Sequence, residues 1–151
     1  MLLGGLCCLS QGVLVMSILD WNKSLEIGHK TIDEQHKGLV KLLNDLHSAM
    51  SLGVACADYT PIRMRLYEYS VLHFSEEEAL MGRTGYKLRA EHEREHQEFM
   101  GKLEVLAQKA SSRNEDIGTE MFTWLADWLL RHISQTDRKL VECLNSDAKM
   151  V

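Results

Sequence analysis

Apolar side chains recur at intervals of three and four residues along most of the chain, which places them on one face of an α-helix. The pattern predicts four helices, over about residues 33–50, 61–81, 87–110 and 115–144. Short segments separate these helices, so consecutive helices are expected to run antiparallel. The sequence therefore predicts an all-α fold, an antiparallel up-down four-helix bundle.

The predicted helix ends carry residues that favour the start or the end of a helix. Thr31 to Glu34 fits a capping box, in which the threonine and glutamate side chains satisfy free amides of the first helix. Thr60 is expected to cap the second helix, with proline next to it at the first helical position. Gly82 and Gly85 are expected to end that helix, and Leu88 to be the first inward residue of the third.

Seven residues that can bind a metal ion lie on the apolar faces of these helices. In chain order they are His36, His73, Glu77, His92, His96, His132 and Asp137. Residues four apart on a helix stand one turn above each other, so the second and third helices each direct a pair at one region of space. Burying seven such groups without a cation between them would be costly. The pattern therefore predicts a metal site in the core of the bundle.

The number and type of these ligands indicate two metal ions. Imidazole suits iron, zinc, copper and nickel, and carboxylate oxygens can bridge two cations. Seven ligands are too many for one such ion, whereas two ions that share Glu77 and Asp137 use all of them, with the five histidines divided three and two. The ion with two histidines keeps an open position, which is typical of small-molecule binding or redox chemistry.

The spacing of the last two ligands predicts an irregular fourth helix. His132 and Asp137 are five residues apart, and on a regular α-helix their side chains would point about 140° away from each other. Both can face the same metal pair only if the helix departs from regular α-geometry. We therefore expect a π-type turn, a kink or a helix end between Ile133 and Thr136.

Composition narrows the class of protein. The chain has 151 residues, enough for one domain with its own core, and a net charge of −5 without a basic patch, which argues against a nucleic-acid partner. The four cysteines show neither the spacing of a disulfide framework nor that of a metal-binding motif. A reducing, cytoplasmic setting is therefore expected.

The beginning of the chain differs from the rest. Residues 1–18 are mainly apolar and the first basic residue is Lys23, so this segment lacks the positively charged start of a secretory signal and is short for a membrane span. We expect a non-core N-terminal extension over residues 1–18, in which Met16 is a candidate second start, and the helical bundle over residues 19–151.

Four runs of residues resemble the hemerythrin family, and specifically the bacterial single-domain hemerythrins, in order, spacing and residue type. These runs are Gly28–His36, His73–Met81, His92–Phe99 and Trp128–Asp137. The resemblance covers about residues 19–144. It implies a non-heme di-iron centre whose two iron ions also share an oxo or hydroxo bridge derived from solvent.

The resemblance also implies a role for each ligand. By the family pattern, one iron would be held by His92, His96 and His132. The other iron would be held by His36 and His73, and both would share Glu77 and Asp137 as bridging ligands. The implied function is reversible O₂ binding at the open position of the two-histidine iron. The protein is expected to be a monomer and not an enzyme, and to transport, store or deliver O₂ to an O₂-consuming recipient protein.

A carrier of this kind must keep protons away from the bound oxygen, so an apolar wall is expected around the ligands. Its candidate residues flank ligands at helical spacing and are Phe74, Trp128, Leu129 and Ile133. His29 and His47 have no acidic partner at metal-binding spacing and are expected to be structural.

Three other functions compete with this interpretation. His92 to His96 also fits His-Glu-x-x-His, the helix motif of zinc proteases, but that function leaves the remaining ligands unexplained. A ferritin-like di-iron oxidase or peroxidase shares the fold, but its sites are dominated by carboxylates, and here histidines outnumber acids. A module that senses O₂, redox state or nitric oxide remains open as an alternative.

Overall fold

The computed structural model describes residues 17–51, 58–111 and 117–147, and within them every regular element is helical. The helices are α1 (Lys30–Ser51), α2 (Thr60–Thr84), α3 (Arg89–Ser111) and α4 (Ile117–Arg131), followed by a π-helical segment (His132–Asp137) and α5 (Arg138–Asp147). Because α4, the π segment and α5 follow one another without a break, they form the fourth helix. The predicted four-helix bundle is confirmed.

The helices close into a ring around the core. Helix α1 packs against α2 and α4, and α3 packs against the same two neighbours. The predicted N-terminal extension lies almost entirely outside the described residues, and its boundary with the bundle stays a prediction. Among the described residues, no helix combines the length and the apolar character that crossing a bilayer would require.

The start of α1 differs from the predicted capping box. The helix begins at Lys30, so Thr31 and Glu34 lie inside its first turns. Asp33 reaches back over the preceding turn instead, and its carboxylate accepts hydrogen bonds from the backbone amides of Ile27 at 2.9 Å and Gly28 at 3.1 Å. Gly28 has a φ of 88°, a left-handed conformation that glycine adopts without strain.

The ends of α2 also depart from expectation. Thr60 is the first residue of the helix rather than its cap, and the carboxylate of Asp58 accepts the Thr60 amide at 2.9 Å. Gly82 lies within the helix, whereas Gly85, with a φ of 63°, terminates it as predicted. Helix α3 begins only at Arg89, so Leu88 lies in the preceding turn, 43% exposed, and the expectation that it points inward was wrong.

One half of the bundle interior is almost entirely apolar, whereas the other, called the polar half here, contains the candidate ligands together with a smaller apolar cluster of Met81, Tyr86 and Leu140. Fully buried apolar side chains occur late in α1 and α3 and early in α2 and α4. They include Leu39, Leu43, Leu46, Leu66, Leu103, Leu106, Met121 and Leu125. The candidate ligands occur at the opposite ends of the same helices. Because neighbouring helices run antiparallel, late positions of α1 and α3 lie beside early positions of α2 and α4. The apolar residues therefore pack together in one half of the bundle, next to the half that contains the candidate ligands.

Gly118 marks a close approach between α4 and the segment before α2. A methyl group at this position would lie 2.5 Å from ring atoms of Tyr59, a residue that is itself 8% exposed. Because Tyr59 is buried, we expect Gly118→Ala to lower the free energy of unfolding by about 1–3 kcal/mol through overpacking, as measured by urea denaturation. The matched control is Gly101→Ala on the exposed face of α3, where no atom lies within 4 Å and alanine should stabilise the helix. Equal stabilities of the two variants would contradict this account.

Candidate metal centre

The structure brings all seven predicted ligand residues together in the polar half of the bundle. Each of them is at most 2% exposed. Helix α1 contributes one of them, α2 and α3 contribute two each, and the π segment contributes the last two. In chain order these residues are His36, His73, Glu77, His92, His96, His132 and Asp137.

The ligand atoms form two groups that share a carboxylate. The three-histidine group consists of His92, His96 and His132 with Glu77, and the two-histidine group of His36 and His73 with Glu77 and Asp137. Within each group, one ligand atom per residue lies within 4.8 Å of the others. Because each group gathers its own set of ligand atoms within this distance, the two groups suit two separate cations rather than one.

Asp137 faces both groups as well. Its Oδ2 lies 3.0 Å from Nε2 of His36, in the two-histidine group. Its Oδ1 lies 3.2 Å from Nε2 of His92 and 3.0 Å from Nε2 of His132, in the three-histidine group. Since each oxygen is directed to a different group, Asp137 is placed to hold two cations together, as Glu77 is.

The π segment explains how two ligands five residues apart reach the same site. His132 and Asp137 are its first and last residues, and both are buried. A π-turn contains more residues than an α-turn, so it brings positions i and i+5 closer to one face. The predicted irregularity between Ile133 and Thr136 is confirmed, and it occurs without a proline.

Several ligand atoms are buried without any hydrogen bond among the described residues, although they approach one another to between 3.0 and 3.3 Å. These atoms are Nε2 of His36, His92, His96 and His132 and both carboxylate oxygens of Glu77 and Asp137. None of these approaches has the alignment of a hydrogen bond. The Glu77 and Asp137 carboxylates thus face imidazole nitrogens without a hydrogen bond, and burying so many ionisable groups together is costly unless a cation lies between them. Convergent donor atoms of this type therefore fit a cation in each group.

The charges of the metal-free site are strongly coupled. Burial alone would lower the pKa of His92 and His132, but Asp137, with Glu77, raises it to about 9 for His92 and about 10 for His132. Burial and Asp137 oppose ionisation of Glu77, yet the neighbouring histidines lower its pKa to about 2. Burial lowers the pKa of His73 to about 4, so this imidazole is already neutral.

Metal binding should therefore release protons at neutral pH. Below the raised pKa values, His92 and His132 carry protons that must leave before Nε2 can bind a cation. We expect loading of the metal-free protein at pH 7 to release about two protons, and metal affinity to fall as the pH is lowered from 8 to 6. A weakly buffered titration with an indicator dye measures the release, and metal affinity that does not change over this pH range would contradict the prediction.

Three ligand histidines are oriented by a second side chain on the ring nitrogen that faces away from the cluster. The Nδ1–Oε distances are 3.0 Å from His73 to Gln35, 3.0 Å from His96 to Glu78, and 2.7 Å from His132 to Glu95. Donation from Nδ1–H fixes the tautomer that leaves Nε2 available to a metal.

Gln35 and Glu95 are supporting residues that spacing along the chain did not predict. Each directly precedes a ligand histidine, and Glu78 directly follows Glu77, so all three lie at the edge of a buried helix face. An acceptor side chain next to a ligand in sequence was the available signal. It indicates such a role only weakly, because many surface residues share that position.

Two of the four residues predicted to form an apolar wall stack on ligand histidines, and the other two are buried. Phe74 stacks on His96 with ring centroids 3.9 Å apart, and Trp128 stacks on His132 at 4.1 Å. Leu129 and Ile133 are each 1% exposed. The leftover histidines lie elsewhere: His47 packs against Phe122, and Nδ1 of His29 accepts the amide of Ile32.

Comparisons with known proteins agree with this geometry. The family model described as "Hemerythrin HHE cation binding domain" matches residues 28–144. The chain is 33% identical to a bacteriohemerythrin of Stenotrophomonas maltophilia over 82% of this chain and 79% of that protein. It is 29% identical to a myohemerythrin of Theromyzon tessulatum over 79% of this chain and 88% of that protein.

A solved structure agrees as well. A crystal structure of a hemerythrin point variant superposes with a TM-score of 0.72 and 27% identity, covering 85% of this chain and 98% of the other. The family match spans most of the chain and includes every helix that bears a candidate ligand. The chain therefore belongs to the hemerythrin family.

Proposed function

We propose that this protein binds O₂ reversibly at a non-heme di-iron centre and serves to transport, store or deliver it. The observation that carries the proposal is the unequal division of five buried histidines around two shared carboxylates. Three histidines complete the surroundings of one cation, and two histidines leave the other with room for a small ligand. A site with the same number of histidines around each cation would not provide one position with room for a small ligand.

The residues of the two groups would hold the ions as follows. His92, His96 and His132 would hold one iron, His36 and His73 would hold the other, and Glu77 and Asp137 would bridge them together with a solvent-derived oxo or hydroxo group. When bound, the iron pair supplies the electrons on which reversible O₂ binding depends. The mixture of imidazole and carboxylate donors suits iron, and the membership of the hemerythrin family supports this choice.

The surrounding side chains have a separate task, which is to exclude water and protons. Phe74 and Trp128 stack on two of the histidine rings, and Leu129 and Ile133, which flank His132 in the sequence, are buried. Among these four residues no group can donate a proton except the indole of Trp128. An apolar enclosure of this kind favours release of the ligand unchanged over its chemical conversion, and it supports a carrier rather than an enzyme.

The test is anaerobic reconstitution of the metal-free protein with ferrous iron. Metal analysis should find about two iron ions per chain, as the two groups of ligands require. A visible absorption band should appear on exposure to air and disappear under argon, and it should persist through repeated cycles.

Two results would overturn the proposal. One zinc ion per chain with no uptake of iron would contradict the di-iron centre. A band that is lost irreversibly, with O₂ consumed at each cycle, would instead indicate an oxidase or peroxidase. A reversible band accompanied by a change of conformation would instead favour a sensing function. Comparing the proteolysis of the O₂-bound and O₂-free proteins detects such a change.

A further inference from the structure

The supporting side chains behind the ligand histidines differ between the two groups. In the three-histidine group, His132 and His96 donate from Nδ1 to the carboxylates of Glu95 and Glu78. In the two-histidine group, His73 donates to the neutral amide oxygen of Gln35. The Nδ1 atoms of His36 and His92 are buried without a hydrogen-bond partner among the described residues. Negative charge therefore supports one group and not the other.

Glu95 is held by two side chains of the fourth helix. The hydroxyl of Thr136 donates to it at 3.1–3.2 Å, and Nδ1 of His132 lies 2.7 Å from it. Thr136 belongs to the π segment, so the same irregularity that directs His132 and Asp137 inward also fixes Glu95. The Glu95 side chain is 32% exposed, so water stabilises its charge while the histidine stays buried.

We propose that Glu95 and Glu78 are positioning residues that make the three-histidine group the tighter of the two metal positions, and that Gln35 keeps the other position weaker. This inference rests on the proposed di-iron function. A carboxylate that accepts from Nδ1–H makes Nε2 a stronger donor and adds negative charge near the ion. An amide fixes the ring but adds no charge. The three-histidine group should therefore fill first and hold its ion in the higher oxidation state more readily.

The experiment is a stepwise anaerobic titration of the metal-free protein with cobalt(II), whose visible absorption reports each occupied position. The wild-type protein should fill in two resolved steps. Glu95→Gln retains an acceptor of the same size but removes the charge, and it should weaken the first step by about 10–100-fold. Gln35→Glu adds a negative charge behind His73 and should strengthen binding in the second step. The difference in affinity between the two steps should therefore become smaller.

The matched control is Glu98→Gln, one turn further along the same helix. Its side chain is 69% exposed and lies 3.8 Å from Arg94, so the substitution removes the same charge without touching a ligand. We expect wild-type steps for this variant. A second measurement separates charge from packing: the reduction potential of the iron-loaded protein should rise in Glu95→Gln and stay unchanged in Glu98→Gln.

Two patterns of results distinguish the outcomes. If the wild-type protein binds two ions but Glu95→Gln and Glu98→Gln titrate alike, or if Gln35→Glu weakens the second step, the inference is wrong and the di-iron function stands. If the wild-type protein loaded with iron holds fewer than two iron ions per chain, the di-iron function itself fails. Because Gln35→Glu tests the opposite charge change at another histidine, the inference can be judged even if Glu95→Gln does not fold.

Discussion

Replacing Glu77 with alanine is expected to remove both metal ions rather than one. The Glu77 carboxylate belongs to both groups of ligands, and its Oε2 lies 3.3 Å from Nε2 of His92 and of His96 and 3.6 Å from that of His73. Without it, each cation loses a negatively charged oxygen, and the site has one negative charge fewer to balance two cations. Metal analysis after iron loading should fall from about two ions per chain to nearly none.

Two further variants make this result specific. Glu76→Ala removes the neighbouring carboxylate, which belongs to neither group, and should retain both ions. His36→Ala removes a ligand of the two-histidine group only, and should mainly empty that position. Loss of metal in Glu76→Ala together with retention in Glu77→Ala would show that the wrong acid of this acidic stretch was assigned to the site.

Much of the fold could be predicted because helical periodicity is a strong and redundant signal. The apolar face of each helix contains several residues, so an error at one position does not change which face is predicted to be buried. Leu88 illustrates this tolerance: it is exposed, yet α3 still buries His92, His96 and Phe99. The ligand residues stood out for the same reason, since charged and polar groups on a buried stripe require a physical explanation.

The π segment was predictable from a conflict between two requirements. Five-residue spacing between His132 and Asp137 is incompatible with a regular helix if both residues face one site. That conflict was visible in the sequence alone, and the structure resolves it with the predicted local change in winding.

The helix ends and the supporting side chains were harder to predict because each depends on a single contact. Asp33 caps the turn before α1 only because the chain reverses at Gly28 and brings two amides to its carboxylate. Glu95 supports His132 across two helices, a contact that no local pattern encodes. Sequence spacing indicates which face of a helix a residue occupies, but not which side chain of a neighbouring helix it meets.

Removing iron is expected to lower the melting temperature substantially. The metal-free interior contains unpaired ligand atoms on four helices, and a cation that binds only the folded chain stabilises it by mass action. Free metal at about 1,000 times the dissociation constant contributes about 4 kcal/mol, which corresponds to about 10–15 °C for a chain of this length.

Calorimetry of iron-loaded and metal-free protein under argon measures the difference, and the Glu77→Ala variant provides the control. Because that variant should hold no metal pair, its melting temperature should be the same with and without iron. Identical melting of the two wild-type forms would mean that the ligand atoms are satisfied without a cation, and it would contradict a buried two-metal site. A shift of equal size in wild type and Glu77→Ala would mean that iron stabilises the chain through some other contact.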